Sequence, residues 1–159
     1  MVANNEFILQ IAKALRSVGS EQCKEAAKSL KRSGKQGSLI DLHLRNLGLE
    51  AFDAFAIGKA LEGLIADSES SLKSISLSYN KALGSAGAIA LAKALPSSIR
   101  EIGLVGCGIG DMGGIKLLEW VRNAPKLQMI CVEQNYFSEP LKMEFLQLSK
   151  RNPTLTVMI

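Results

Sequence analysis

The amino-acid sequence predicts an α/β solenoid, with short parallel strands in one layer and helices in the other. An extended segment with apolar residues on one side recurs along the chain, and a turn and then a helical apolar pattern follow it each time. Segments that begin at Leu39, Leu72, Ile99 and Leu127 align, so their starts are separated by 33, 27 and 28 residues. A fixed period of roughly 20–50 residues is the signature of stacked repeats, and such repeats bury their apolar sides only against one another.

The best-defined repeat runs from residue 72 to residue 95. Leu72, Ile75 and Leu77 turn to one side of an extended segment, Asn80 follows where the strand ends, and a helix pattern begins after Gly84. Leu47, Cys107 and Asn135 take the place of Asn80 in the other repeats. The alignment predicts strands near residues 39–44, 72–77, 99–104, 127–132 and 155–159.

Each strand segment is followed by apolar residues at helical spacing. They stand six, eight and twelve positions after the residue that leads into the helix, which indicates one amphipathic helix per repeat. We expect their apolar face to pack in the core. The residues are Phe55, Ile57 and Leu61; Ile89, Leu91 and Leu95; Ile115, Leu117 and Val121; Met143 and Phe145, with the polar Ser149 last.

Residues 1–38 are predicted to form an N-terminal helical cap and a degenerate leading repeat, continuous with repeats over residues 39–159. A first helix is expected over 5–17, capped by Asn4 or Asn5. Residues 18–30 match the helix half of a repeat and lack its strand. The Gly/Ser/Lys-rich segment 31–38 predicts a connector. Leu64 and Ile65 are expected to extend the preceding helix before a polar loop at 67–71.

Composition narrows the classes of function. The chain is 47% hydrophobic and 21% charged, which is typical of a globular domain. Its net charge of +4 comes from residues 1–38, so the repeats are neutral and no nucleic-acid surface is indicated. No apolar run approaches the ~20 residues of a membrane span, and the first residues lack the plan of a secretory signal. We therefore expect a cytoplasmic protein, or one cut from a longer chain.

The sequence offers little material for catalysis or metal binding. The three cysteines lie at dissimilar places without metal-ligand spacing, so we expect reduced thiols, no metal and no cofactor. His43 is the only histidine, and ordinary alternation along a strand explains its position between Asp41 and Arg45 as well as a catalytic site would. The sequence predicts a protein that is not an enzyme and has no small-molecule substrate.

The pattern Leu-x-x-Leu-x-Leu-x-x-Asn/Cys-x-Leu-Gly, followed by an Ala/Leu-rich helix, resembles the leucine-rich repeat family and within it the ribonuclease-inhibitor-like subfamily. The resemblance covers about residues 18–159 and is best at 72–95 and 99–121. It departs at Leu47, at one extra residue between Asn80 and Leu83, and at the turn 138–140.

The resemblance implies a curved segment with strands on the concave face and helices on the convex face, which binds a protein through the concave face. Members of the subfamily activate small GTPases, sense microbial ligands or cap actin filaments. An activator of an enzyme such as a small GTPase, or an actin-capping domain, is therefore the alternative function. The resemblance does not identify the partner.

The candidate binding site consists of strand residues that alternate with the buried leucines. A centre of small residues would let another backbone approach, and aromatic and apolar residues would supply interface contacts. A solvated face without a dedicated partner is the alternative. The predicted protein-binding residues are Asp41, His43, Arg45, Ser76, Ser78, Tyr79, Glu101, Met129, Cys131 and Glu133.

Several other residues have a structural and a functional interpretation. Asn80 and Asn135 are predicted to satisfy buried backbone groups at the strand exits, with the Cys107 thiol in the same role rather than as a nucleophile. Trp120 is expected to pack in the helix layer. A basic group near the N terminus predicts either a solvated helix face or a patch for anionic lipid or nucleic acid: Lys24, Lys28, Lys31, Arg32 and Lys35. The last strand, 155–159, is a candidate for edge-to-edge self-association.

Overall fold

A computed structural model describes residues 2–18, 20–33, 40–62 and 72–159. Within these ranges the chain forms six helices and five strands. In order they are α1 (Val2–Val18), α2 (Glu21–Ser33), β1 (Ile40–His43), α3 (Ala51–Glu62), β2 (Leu72–Ser76), α4 (Gly84–Ala94), β3 (Glu101–Gly103), α5 (Asp111–Arg122), β4 (Met129–Cys131), α6 (Glu139–Arg151) and β5 (Thr156–Met158). None of these helices is long and apolar enough to cross a membrane.

The strands form one parallel sheet in the order β1-β2-β3-β4-β5, which confirms the predicted α/β architecture. Each helix from α3 to α5 contacts the helix that follows it, so α3 to α6 make a second layer. Parallel strands lie about 4.8 Å apart and packed helices about 8–10 Å apart, so the layers match only if the strands lie on the concave side.

The observed strands are shorter than the predicted ones. Ile99, Leu127 and Leu155, predicted as strand residues, are buried, but their amides donate to the carbonyls of Pro96, Ala124 and Asn152, three positions earlier. These leading residues therefore belong to the turn between helix and strand, although their side chains point into the core as the pattern predicted.

The core lies between the two layers and is built from rows of equivalent residues. Two rows come from the sheet and one comes from the helices, and all their members belong to one buried cluster. Burying such a side chain contributes about 1.5–3 kcal/mol, so the rows dominate stability. The rows are Leu42, Ile75, Ile102 and Ile130; Leu44, Leu77, Leu104 and Val132; and Ile57, Leu91, Leu117 and Phe145.

The helix rows correct one prediction. Phe55, Ile115 and Met143 were expected on the buried helix face, but they are exposed, and Ile89 is half-buried. Ile57 and its equivalents are buried, and residues two positions apart in a helix differ by about 200° in direction. The two positions cannot share a face, so the helix layer has apolar side chains on its outer surface.

The N-terminal region is more helical than predicted. Helix α1 begins at Val2, so Asn4 and Asn5 lie inside it and the prediction that one of them caps the helix is wrong. Two residues separate the end of α1 from the start of α2. Buried Ile11 and Leu15 of α1 join the core, and α1 packs on α2 and α3.

The first three residues of the predicted connector 31–38 are helical, because α2 extends to Ser33. The rest of that connector, the extension at 64–65 and the loop at 67–71 lie outside the described residues.

Asn80 joins two repeats through its amide group. It is fully buried; its Oδ1 accepts from the amides of Leu47 and Leu49 at 2.9 and 3.1 Å, and its Nδ2 donates to the carbonyls of Leu44 and Leu77 at 2.8 and 2.6 Å. All four of its partners are backbone groups at strand exits, so the predicted structural role is confirmed.

Asn135 repeats this arrangement one level on. It accepts from the amides of Cys107 and Ile109 and donates to the carbonyls of Leu104 and Val132. Between the two asparagines, the Cys107 thiol donates to the carbonyl of Leu77 at 3.3 Å. Leu47 takes the same position in the first repeat. It needs no side-chain donor, because the described part of the leading repeat that contains α2 has no strand and therefore no strand-exit carbonyl to pair. Instead, the Cys23 thiol of α2 donates to the Leu47 carbonyl at 3.4 Å.

Replacing Asn80 by Ala is expected to lower the free energy of unfolding by about 3–5 kcal/mol, because four buried backbone groups lose their partner at once. Urea denaturation followed by circular dichroism measures the change. The neighbouring exposed Lys81→Ala substitution is the control and should stay within about 0.5 kcal/mol of the parent. A loss below about 1 kcal/mol for Asn80→Ala would show that water replaces the amide.

Candidate functional site

The outward side chains of the strands form three columns across the sheet. The register aligns Asp41, Ser74, Glu101 and Met129, and next to them His43, Ser76, Gly103 and Cys131. Backbone hydrogen bonds continue past the strand ends, from Asn46 to Ser78, Tyr79 to Val105 and Gly106 to Glu133, so a third column of Arg45, Ser78, Val105 and Glu133 follows. The three columns are here named the concave face.

The centre of the concave face is an open depression with a floor of small residues. A Cβ added to Gly103 would lie 2.8 Å from Ser76 Oγ and 3.1 Å from Ser78 Oγ, so the three residues are in close contact. Ser78 is only 3% exposed, and its hydroxyl accepts from the Val105 amide at 3.1 Å. The structure places this residue in the floor, where it offers little contact area.

The ten predicted residues lie on one surface at three depths. Seven line the depression: His43, Arg45, Ser76, Ser78, Glu101, Met129 and Cys131. Asp41 lies at the start of its column, where it accepts a 2.6 Å hydrogen bond from Ser74 Oγ. Tyr79 and Glu133 stand at the strand exits on the other side. Ser74 was not among the ten predicted residues, but it lines the depression and joins the site through its hydrogen bond to Asp41.

Tyr79 is held at the edge of the depression in an unusual backbone conformation. Its φ is +65°, and its ring lies under the Arg45 guanidinium at 5.3 Å. The equivalent residues Asn46, Gly106 and Gln134 also have positive φ. Glycine and asparagine tolerate this region, whereas a bulky side chain there costs roughly 1–2 kcal/mol. The glycine at position 106 is the sequence feature that indicates this conformation. Its meaning became clear only when the structure showed that all four equivalent residues have a positive φ.

Charge is divided across the concave face. Arg45 and His43 lie on the first repeat, and Glu101 and Glu133 lie on the third and fourth. Burial raises the pKa of the Cys131 thiol, and the carboxylates of Glu133 and Glu101 raise it further, which places both acids near this sulfur. The first repeat also holds Asp41, so the charge differs mainly along the third column, which runs from Arg45 at the β1 end to Glu133 at the β4 end.

The described residues assemble no catalytic group around His43 or the thiols. In that part of the chain His43 has no hydrogen bond or ion pair, and Asp41 is turned to Ser74. Burial raises the pKa of Cys107 to about 11, so its thiol is protonated at neutral pH and is a poor nucleophile. Across the same ranges no three His, Cys, Asp or Glu side chains cluster as metal ligands.

Two of the predicted basic residues have partners on their own helix. Lys24 pairs with Glu21 at 2.7 Å and Lys28 with Glu25 at 2.6 Å, which favours the solvated helix face over an anion-binding patch. The side chains of Lys31, Arg32 and Lys35 lie outside the described residues. Trp120 is half-buried and donates its indole N–H to the Leu95 carbonyl at 3.1 Å, so its predicted packing role is confirmed.

Alkylation should distinguish the three thiols. In the native chain at pH 8 we expect iodoacetamide to modify half-exposed Cys131 slowly and to leave buried Cys23 and Cys107 unmodified, because access and the raised pKa of Cys107 both limit the thiolate. In urea, all three should react at the rate of a free thiol. Mass spectrometry of timed samples measures this, and native modification of Cys107 as fast as that of Cys131 would contradict the prediction.

Comparisons with known proteins agree with this architecture. A sequence model described as Leucine Rich repeat matches residues 69–92. No curated protein matches the chain significantly. Among solved structures, the fold is similar to a chain in a structure of Chaetomium Mex67:Mtr2 subunits, with 17% identity, a TM-score of 0.50, and coverage of 74% of this chain and 77% of that one. The matched segment covers one repeat, and both similarities agree with the parallel strand-helix repeats of this fold.

Proposed function

We propose that this chain is a non-catalytic protein-interaction module and that its partner binds the concave face. The observation that carries the proposal is a depression floored by small residues, with Arg45 on one side, Glu101 and Glu133 on the other and an aromatic side chain fixed at its edge. The similarity to leucine-rich repeats supports protein binding in general, and such repeats are generally non-catalytic. We further propose the ribonuclease-inhibitor-like subfamily, supported by a helix in every repeat, and a cytoplasmic location.

The division of charge favours one orientation of the partner. Arg45 and Glu133 stand in the same column, three strand spacings or about 14 Å apart. A partner with an acidic group toward Arg45 and a basic group toward Glu133 would be attracted in this orientation and repelled in the reverse one. Such complementarity determines selectivity and association rate more than total affinity.

Tyr79 is the proposed centre of the binding energy. Its ring is 39% exposed, is stacked under Arg45 and lies against Gly106, where an added Cβ would be 3.3 Å from Tyr79 Cδ1. The side chain therefore loses little conformational entropy on binding. Rigid aromatic residues of this kind dominate many interfaces, and backbone strain concentrates at functional positions.

Two substitutions test the concave-face proposal. A partner captured with the intact chain is titrated calorimetrically against Tyr79→Ala and Glu133→Arg. Each is expected to weaken binding at least tenfold, or about 1.4 kcal/mol, the first by removing the aromatic contact and the second by reversing the acidic end.

Matched controls carry the same changes on other surfaces. Tyr136→Ala removes a more exposed tyrosine from outside the columns, and Glu119→Arg reverses a charge on the helix layer. Both controls should stay within threefold of the parent. If Tyr79→Ala and Glu133→Arg also stay within threefold, about 0.7 kcal/mol, the partner binds elsewhere.

A further inference from the structure

The outer surface of the helix layer exposes large apolar side chains on α3 and α5, the helices on either side of α4. Phe52 is 77% and Phe55 55% exposed on α3, and Met112 is 74% exposed on α5, where Ile115 is also exposed. The outer face of a surface helix is ordinarily polar. These residues lie on the opposite layer from the concave face, so the proposed partner site does not account for them.

Helix α4 lies between α3 and α5 and contacts both. Its outward residues near the N-terminal end are Ala86, Ile89 and Ala90, two of them with a single methyl group. The long side chains of α3 therefore form a ridge beside a groove over α4. We name Phe52 and Phe55 the convex ridge, and the surface of Ala86, Ile89 and Ala90 the convex groove; Met112 and Ile115 form the far wall of the groove.

Close packing of the helices keeps the ridge outside. A Cβ on Gly58 of α3 would lie 3.2 Å from the Cβ of Ala94 on α4, and a Cβ on Gly113 of α5 would lie 2.9 Å from the Cα of Ser85. No phenylalanine ring fits between helices that approach this closely. Among the described residues, none covers the ridge, which is therefore a fixed part of their surface.

The exposed area is sufficient for an interface. An aromatic side chain contributes roughly 150–250 Å², so the ridge and the far wall together expose on the order of 500 Å² of apolar surface. The largest apolar patches on monomers are about 300–600 Å² and are often functional. A stable dimer buries about 800 Å² per partner. The convex groove and the residues around the ridge and the far wall can supply the remaining area.

We propose that this surface binds a second copy of the chain, with the convex ridge of each copy in the convex groove of the other. A ridge beside a groove of similar width becomes self-complementary under a two-fold axis that runs between α3 and α4, because the axis exchanges the two features. The small residues of α4 allow the close interhelical packing, at about 8–10 Å, that ridge-into-groove contact requires.

The charges beside the ridge and the groove agree with this pairing. Lys93 is the one charged residue of α4 and has no ion pair among the described residues. On α3, Glu62 is 3.5 Å from Lys59, the longest ion pair in the described ranges, and Lys59 lies over the Phe55 ring at 5.5 Å. When α3 of one copy lies over α4 of the other, Lys93 can share the Glu62 carboxylate with Lys59.

Sedimentation velocity of the intact chain over about 1–100 μM tests the dimer, because weak specific contacts fall in this range. The parent should shift from monomer to dimer across the series. Phe52→Glu, which places a charge on the ridge, and Ala86→Arg, which fills the groove, should each remain monomeric at the highest concentration. Both sites are exposed in the monomer, so circular dichroism should show unchanged folding.

Mixing the two variants gives the sharpest result. A mixed pair retains one native ridge-groove contact, and in the other contact the carboxylate introduced on the ridge of one chain meets the guanidinium introduced in the groove of its partner. An equimolar mixture should therefore recover the dimer. Met158→Glu, a similar change on the sheet layer, should dimerise like the parent.

Four results would overturn the proposal: a parent that stays monomeric, variants that dimerise like the parent, a mixture that stays monomeric, or loss of the dimer in Met158→Glu, which would indicate edge-strand pairing instead. Sedimentation with phosphatidylcholine/phosphatidylserine vesicles tests whether the convex ridge binds a membrane surface instead. A monomer that pellets with the vesicles through Phe52 would mean that a membrane surface is the occupant.

Discussion

The fold depends on pairing the backbone groups that are buried where each strand leaves the sheet. A strand followed by a helix must turn sharply inside the stack, and this turn leaves amides and carbonyls that neither layer can pair. Asn80 and Asn135 each bind four of these groups, three in the preceding repeat and one in their own, and so connect neighbouring repeats by specific bonds as well as by apolar contact. The apolar rows supply most of the stabilising energy, but these bonds fix the register in which the rows meet.

Both surfaces follow from that register. Once equivalent residues are aligned, the outward strand side chains must form columns, and Arg45, Ser78, Val105 and Glu133 become one continuous line although they are far apart in the chain. The same alignment places the helices side by side, so that small outward residues on α4 lie between larger ones on α3 and α5. The concave depression and the convex ridge and groove thus arise from one repeat geometry, which carries different side chains on its two layers.

The architecture and the columns could be predicted because both depend on spacing. Alternation along a strand has a period of two, so Asp41, His43 and Arg45 had to share a face once Leu42 and Leu44 were assigned to the core. The errors arose where spacing alone is insufficient. Helical spacing separates Phe55 from Ile57, but both are apolar, so it does not show which of them is buried. The positive φ of Tyr79 contradicts its residue type, and the contact of Cys23 with Leu47 joins segments whose relation no periodicity reveals.

The positive φ at the strand exits limits how this surface can change in evolution. Asn46, Tyr79, Gly106 and Gln134 occupy equivalent sites, and each site accepts few residue types without a cost in stability. A lineage that altered its partner could more readily substitute column residues outside the tightly packed floor, such as His43, Met129 and Glu133, since these do not have a positive φ. A β-branched residue at an exit would weaken the turn that the asparagines support. We therefore expect variation among relatives to concentrate within the columns, and the exits to drift slowly among a small set of tolerated side chains.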